Sequence, residues 1–149
     1  PHAFIGVDVM VGCRGETPDC FEECRSFIED LDVTQLHVFP YSERPGTAAL
    51  SIPYVVDDKE KKRRVHELLE LSDQKTRAFY ARHAGTEQEV LLEKSANGKA
   101  MHGFTRNYVR VQLPEHLSKP EYDNELLTVR IDDFNADQTA MMVEDIIQR

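Results

Sequence analysis

The chain has 149 residues, 40% of them hydrophobic and 30% charged, with a formal net charge of −9. That length buries a real core, as one domain or two small ones, and no apolar run nears the ~20 residues of a membrane span. Through residue 85 there are 11 basic against 15 acidic side chains, and 7 against 12 thereafter; neither part has the basic balance of an electrostatic nucleic-acid binder.

No basic stretch leads into an apolar one at the start, so no secretory signal is visible, and the chain reads as cytoplasmic. Opening at Pro1 and already strand-like by Phe4, it reads as an excised piece of a longer protein. Three cysteines, an odd number, argue against a disulfide framework.

Phe4–Val11 is a near-continuous apolar run broken by Asp8, the pattern of a strand buried on both faces of a parallel sheet. A loop with Gly12 and Gly15 follows. Thr17 then supplies an N-cap, Pro18 suits the first helical position, and Asp19, Glu22 and Glu23 favour the positive end of the dipole. Cys20, Phe21, Cys24, Phe27, Ile28 and Leu31 recur at helical spacing and predict one buried face. The thiols of Cys20 and Cys24 read there as small core hydrophobes, not ligands. Val33–Phe39 is the second strand of a βαβ unit with a right-handed crossover.

That strand stops at Pro40, and Tyr41 leads into Arg44-Pro45-Gly46-Thr47. Two prolines fix φ and Gly46 allows the positive φ of a type II turn. Ligands collect past the carboxyl ends of strands in α/β sheets, so this exit and the Gly12–Thr17 loop are places to look for a site; the plain alternative is a strand leaving a sheet over a tight turn and a loop that only turns the chain. The loop has neither the Lys-Ser/Thr of a P-loop nor a dinucleotide fingerprint.

Asp57 and Glu60 form a capping-box pattern for a long helix reaching about His83. Its buried face would hold Val65, Leu68, Leu69, Ser72, Thr76, Phe79 and Tyr80. Lys59, Lys61, Lys62, Arg63 and Arg64 read as a solvated face, with a polyanion contact as the alternative. Gly85 is the expected C′ stop. Beyond it the pattern is β: Glu87–Glu93, Ala100–Arg106, Tyr108–Leu113, Leu126–Asp132 and Thr139–Val143, with a hairpin turn at Asn97-Gly98. Five short strands fit a small closed OB-like barrel. Alternation would set Arg106, Tyr108 and Arg110 on one strand face, two guanidiniums about an aromatic ring; this is either an exposed face with ordinary solubilising charge or the chemistry of an RNA contact. The six histidines show no ligand spacing.

Three stretches, GVDVMVGCRGETPDCFEE, LHVFPYSERPGTAA and ELSDQKTRAFYARHAGTEQEVLLE, together resemble the C-terminal part of the radical S-adenosylmethionine methylthiotransferases. The similarity is greatest to the branch that modifies N6-threonylcarbamoyladenosine beside the anticodon of tRNA. The resemblance covers nearly the whole chain and implies α/β plus all-β architecture. Residues 1–56 would be a C-terminal part of a (β/α) radical S-adenosylmethionine barrel, 57–85 a linking helix, and 86–149 a five-stranded OB-like TRAM domain.

The resemblance also implies roles. Val11, Gly12, Phe39 and Tyr41 would approach S-adenosylmethionine, Arg44 would face the substrate, and Arg106, Tyr108 and Arg110 would contact tRNA. No residue would be catalytic or bind metal. The complete protein would carry S-adenosylmethionine and two 4Fe-4S clusters, act on tRNA and need no membrane. Two departures stand out: Cys13 and Arg14 replace the usual aromatic and proline, and the Cys-x-x-x-Cys-x-x-Cys motif is absent because Phe27 stands where its third cysteine would. The chain alone would therefore bind no cofactor and be inert. Two alternatives are the sister enzyme that modifies a ribosomal-protein aspartate, which an acidic barrel would suit, and a non-catalytic TRAM RNA-binding module.

Overall fold

The computed structural model describes residues 2–93, 95 and 99–148. The chain divides into two compact units, one formed by Ile5–Thr76 and the other by the chain from Arg77 on, together with the segment up to Phe4.

In the first unit β1 (Gly6–Val11) and β2 (Gln35–Pro40) pair in parallel, with Gly6 opposite Gln35 and Val11 opposite Pro40. α1 (Pro18–Asp30) connects them. The core holds Val9, Val11 and Leu36 from the strands, Phe21 and Ile28 from α1, and Leu68 and Leu71 from α2 (Asp58–Ala81). Burial along β1 alternates, with Val9 and Val11 in and Asp8 and Met10 out. The strand is thus covered on one face, not both, because the helical side chains of the core meet only its alternate residues.

α1 starts as its sequence dictates: Thr17 Oγ1 accepts the Cys20 N–H at 3.3 Å, with Pro18 next. Its buried stripe is narrower than the spacing predicts. Phe21 and Ile28, two turns apart, are its buried residues, whereas Cys20, Cys24 and Phe27 are exposed. The two cysteines are not core hydrophobes.

At the start of α2, Asp57 accepts the Glu60 N–H at 2.8 Å, one arm of the capping box. The other arm is replaced, since the Glu60 carboxylate takes Arg63 and Arg64 instead. Leu68, Leu71, Ser72, Phe79 and Tyr80 are buried and Leu69 is exposed. The basic run is not a uniform solvated face, because Arg64 is fully buried. A buried tie also crosses to β2: Ser72 Oγ accepts the Leu36 N–H at 2.9 Å and donates to the Leu36 carbonyl at 3.3 Å.

In the second unit α2 ends at Ala81, and tight turns through Arg82, His83 and Ala84 follow. Gly85, at φ +76°, stands beyond those turns and is not the residue next to the helix end. The strands are β3 (Glu87–Glu93), β4 (His102–Thr105), β5 (Arg110–Gln112), β6 (Leu126–Phe134) and β7 (Met141–Gln148). They close a barrel in the order β3-β4-β5-β7-β6. Every pair is antiparallel except β5 with β7. Val90, Leu92, Val111, Leu127, Val129, Ile131, Met141 and Val143 fill its interior.

β7 begins later than its sequence suggests. Asn135 Oδ1 accepts the N–H groups of Thr139 and Ala140 at 3.0 and 3.1 Å, holding that segment in a turn. The expected Asn97-Gly98 hairpin lies outside the described residues. The five strands and the closed barrel agree with the expected mixed architecture at that level.

Candidate ligand groove at the strand exits

β1 and β2 end side by side, and the Tyr41 N–H donates to the Val11 carbonyl at 2.7 Å, extending the parallel pairing by one step. The chains then part. On the β2 side, Thr47 Oγ1 donates to the Arg44 carbonyl at 2.9 Å and Gly46 takes φ +79°, so the Arg44–Thr47 turn is closed locally. On the β1 side, the Gly12 N–H meets both Glu16 carboxylate oxygens at 3.0 and 3.1 Å. Gly12 has φ +77°, and a methyl there would collide with the Lys61 stem; glycine is required.

Arg14 reinforces this loop. Its Nε donates to Glu43 at 2.7 Å, and its Nη1 reaches the carbonyls of Leu50 and Ile52 at 3.0 and 3.1 Å. Arg14, where the resemblance implies proline, is thus held by side-chain bonds.

Along the β2 exit, beside Met10 of β1, lies a groove of about 440 Å³ lined by Met10, Phe39, Pro40, Tyr41, Ser42, Arg44, Thr47 and Ala49. Met10 and Phe39 are register partners and both are more than half exposed. They are an apolar part of a lining to which Arg44 also belongs. Pro40, Tyr41 and Ser42 also line a second hollow of about 830 Å³, shared with Asp57, Asp58, Lys61 and Lys62. The Lys61 ammonium stands 5.8 Å from the centre of the Tyr41 ring.

Of the residues expected at a ligand, Phe39, Tyr41 and Arg44 come together in this groove. Val11 and Gly12 are not among its lining: Val11 is buried and its carbonyl is taken by Tyr41, while the Gly12 amide is taken by Glu16. Sequence reasoning passed over Met10 and read Lys61 and Arg64 only as members of a basic run, solvated or facing a polyanion, whereas Lys61 lines a hollow and Arg64 is buried. A usable signal existed, since Arg64 continues the buried stripe of Leu68, Leu71 and Ser72 one turn toward the helix start.

Burial draws the Arg64 pKa down, but its hydrogen bonds to Glu16 and Glu60 outweigh that and hold it above the ordinary value. Hydrogen bonds from Arg63 and Arg64 lower the Glu60 carboxyl to about 2. Burial, then the Glu16 charge, raises the Cys13 thiol.

On the barrel, Arg106, Tyr108 and Arg110 do not share one strand face. Residues 106–109 leave the ladder: Thr105 Oγ1 donates to Asn107 at 2.6 Å and accepts the Val109 N–H at 2.9 Å, and Tyr108 has φ +62°. Arg106 is exposed and ion-paired with Glu89, the Tyr108 ring is exposed, and Arg110 sits half-buried in β5. Among the described residues no three His, Cys, Asp or Glu side chains converge as a metal site. Exposed Cys20 and Cys24 and half-buried Cys13 do not fit the ligand set of an iron–sulfur cluster.

No protein-family model matches the chain. Over 115 residues, 74% of the chain, it is 37% identical to the threonylcarbamoyladenosine tRNA methylthiotransferase of Bacillus subtilis. The enzyme of that name from Rickettsia prowazekii is 35% identical over 79% of the chain. The chain is homologous to one region of the tRNA methylthiotransferases. The tRNA-2-methylthio-N(6)-dimethylallyladenosine synthase of Haemophilus influenzae is 33% identical over a longer stretch, 89% of the chain. In each case the match spans about a quarter of the methylthiotransferase, 26%, 27% and 28% of its length. No helix among the described residues is long and apolar enough to cross a membrane.

Proposed function

We propose that the chain is part of a tRNA methylthiotransferase that adds a methylthio group to N6-threonylcarbamoyladenosine. The observation that carries this reading is the 37% identity, over most of the chain, to an enzyme of that name. The groove supports it in kind: an exposed Phe39 ring, Tyr41 and the Arg44 guanidinium suit a ligand with a flat purine and a carboxylate, as S-adenosylmethionine has. That group, when bound, supplies the radical and methyl chemistry that the resemblance implies. Phe39 and Tyr41 would hold it and Arg44 would orient the substrate or the carboxylate. Any clusters would be held by residues other than this chain's cysteines.

Residues 1–56 are read as the ligand-bearing barrel part, 57–85 as the linking helix and 86–149 as an OB-like TRAM domain. Closure of five strands with a single parallel pair supports the last assignment. Arg106, Tyr108 and Arg110 are its proposed tRNA contacts, Tyr108 offering an exposed ring for stacking.

The test is nucleoside mass spectrometry of tRNA from a strain deleted for its threonylcarbamoyladenosine methylthiotransferase and given the complete gene. Return of 2-methylthio-N6-threonylcarbamoyladenosine is expected. The longer match to dimethylallyladenosine synthases supports a second reading. Restoration of the 2-methylthio dimethylallyl nucleoside instead, in a strain lacking that synthase, would favour it. For the barrel, Arg106→Ala and Arg110→Ala in the complete protein should each weaken tRNA binding and reduce its salt slope by about 1. Unaltered slopes would remove both contacts.

A further inference from the structure

Arg64 is fully buried, and its guanidinium ties the Gly12–Thr17 loop to the first turn of α2. Nη1 donates to the Glu16 carbonyl at 2.9 Å and to Glu16 Oε1 at 2.6 Å, while Nε donates to Glu60 Oε1 at 2.9 Å. The guanidinium carbon lies 5.1 Å from the centre of the Phe21 ring. Nη2 is buried without a hydrogen-bond partner among the described residues. Glu16 passes the restraint on, since both its carboxylate oxygens receive the Gly12 amide. Gly12 follows Val11, whose carbonyl takes the Tyr41 N–H, and Tyr41 is a wall of the groove. An unbroken series of bonds thus runs from the first turns of α2 to the groove.

Stability is a poor reason for this arrangement. Burying a guanidinium with an unpaired N–H is costly, and an apolar group of similar volume is often as stable or more so. What one planar guanidinium bonded to two carboxylates through different nitrogens supplies is direction. We propose that Glu16 and Arg64 are positioning residues for the groove, fixing the Gly12 amide and through it Tyr41, and so setting affinity for the ligand. This rests on the reading of the groove as an S-adenosylmethionine-type site.

The test is calorimetric titration of the complete protein with S-adenosylhomocysteine, alongside its Tm. The Arg64→Met, Glu16→Gln double variant keeps volume and leaves Gly12 an acceptor, but unties it from α2. Its Kd should rise on the order of tenfold, as for a misplaced binding group, with Tm held or raised. Arg64→Lys, which keeps charge but has no planar group to reach Glu16 and Glu60 at once, should weaken binding with Tm held, and it decides the matter if the double variant fails to fold. Wild-type protein that does not bind S-adenosylhomocysteine overturns the groove reading and this one with it. Wild-type binding with unchanged affinity in the variants overturns the positioning role alone, as does a parallel fall in Tm and affinity, which would mark a purely structural pair.

Discussion

Among the described residues of the barrel, the side chains with no exposure are all apolar, Val90, Val109, Val111, Leu113, Leu127, Val129, Ile131, Ala140 and Met141. In the unit formed by Ile5–Thr76 the one described residue with none is Arg64. A closed barrel has no free edge, so each inward position can be filled by shape alone. Two parallel strands and their helices leave loops to be held, and here carboxylates and a guanidinium hold them. Apolar packing stabilises without direction, whereas the ionic tie costs desolvation and aims a backbone amide.

The largest loss is expected in the barrel, which rests on apolar packing. Ile131→Ala should cost about 2–5 kcal/mol in urea denaturation; a loss near zero would mean the barrel interior is not the close-packed core described. A smaller effect is expected where the first unit relies on polar ties. Ser72→Ala removes the partner of the buried Leu36 amide and should cost about 1–3 kcal/mol. If the loss matches that of an exposed serine, the tie is not contributing. Thr17→Ala deletes the α1 cap and should cost about 1 kcal/mol, with Thr17→Ser restoring most of it.

The acid response is smaller still and separates the units by chemistry. The Glu60 carboxyl is lowered from 4.5 to about 2, so it releases its proton more readily in the folded state. Its contribution is complete above about pH 4.5 and is lost as pH falls toward 2. Amide exchange in α2 should therefore quicken across that window, and Glu60→Gln should flatten the change. An unaltered profile in the variant would place the acid sensitivity elsewhere.

What the sequence made legible was local. Thr17-Pro18 marks the start of α1 because a cap and a missing N–H act within one turn, and the β3 and β6 patterns were plain because alternation is a property of each strand alone. The exit near Pro40, with Phe39, Tyr41 and Arg44, was legible because two prolines and Gly46 within seven residues mark a turn locally, although the pairing runs through Pro40 to Tyr41. The width of the buried face of α1 was not, since exposure of Cys20, Cys24 and Phe27 depends on what the helix packs against. Arg64 was hidden by its residue type, which ordinarily signals solvent. The break at Tyr108 was hidden because Thr105 and Asn107 bond to the backbone and to each other in a turn that alternation does not report.

The groove at the strand exits is the centre of the account, and Arg44 is its guanidinium. Complete genes carrying wild-type sequence or Arg44→Glu should be compared in a strain lacking its threonylcarbamoyladenosine methylthiotransferase, with soluble protein levels matched. tRNA nucleosides should show the 2-methylthio product with wild type, and its loss, with the unthiolated nucleoside accumulating, with the variant. A full yield of 2-methylthio-N6-threonylcarbamoyladenosine from Arg44→Glu would contradict the assignment of this groove as the site.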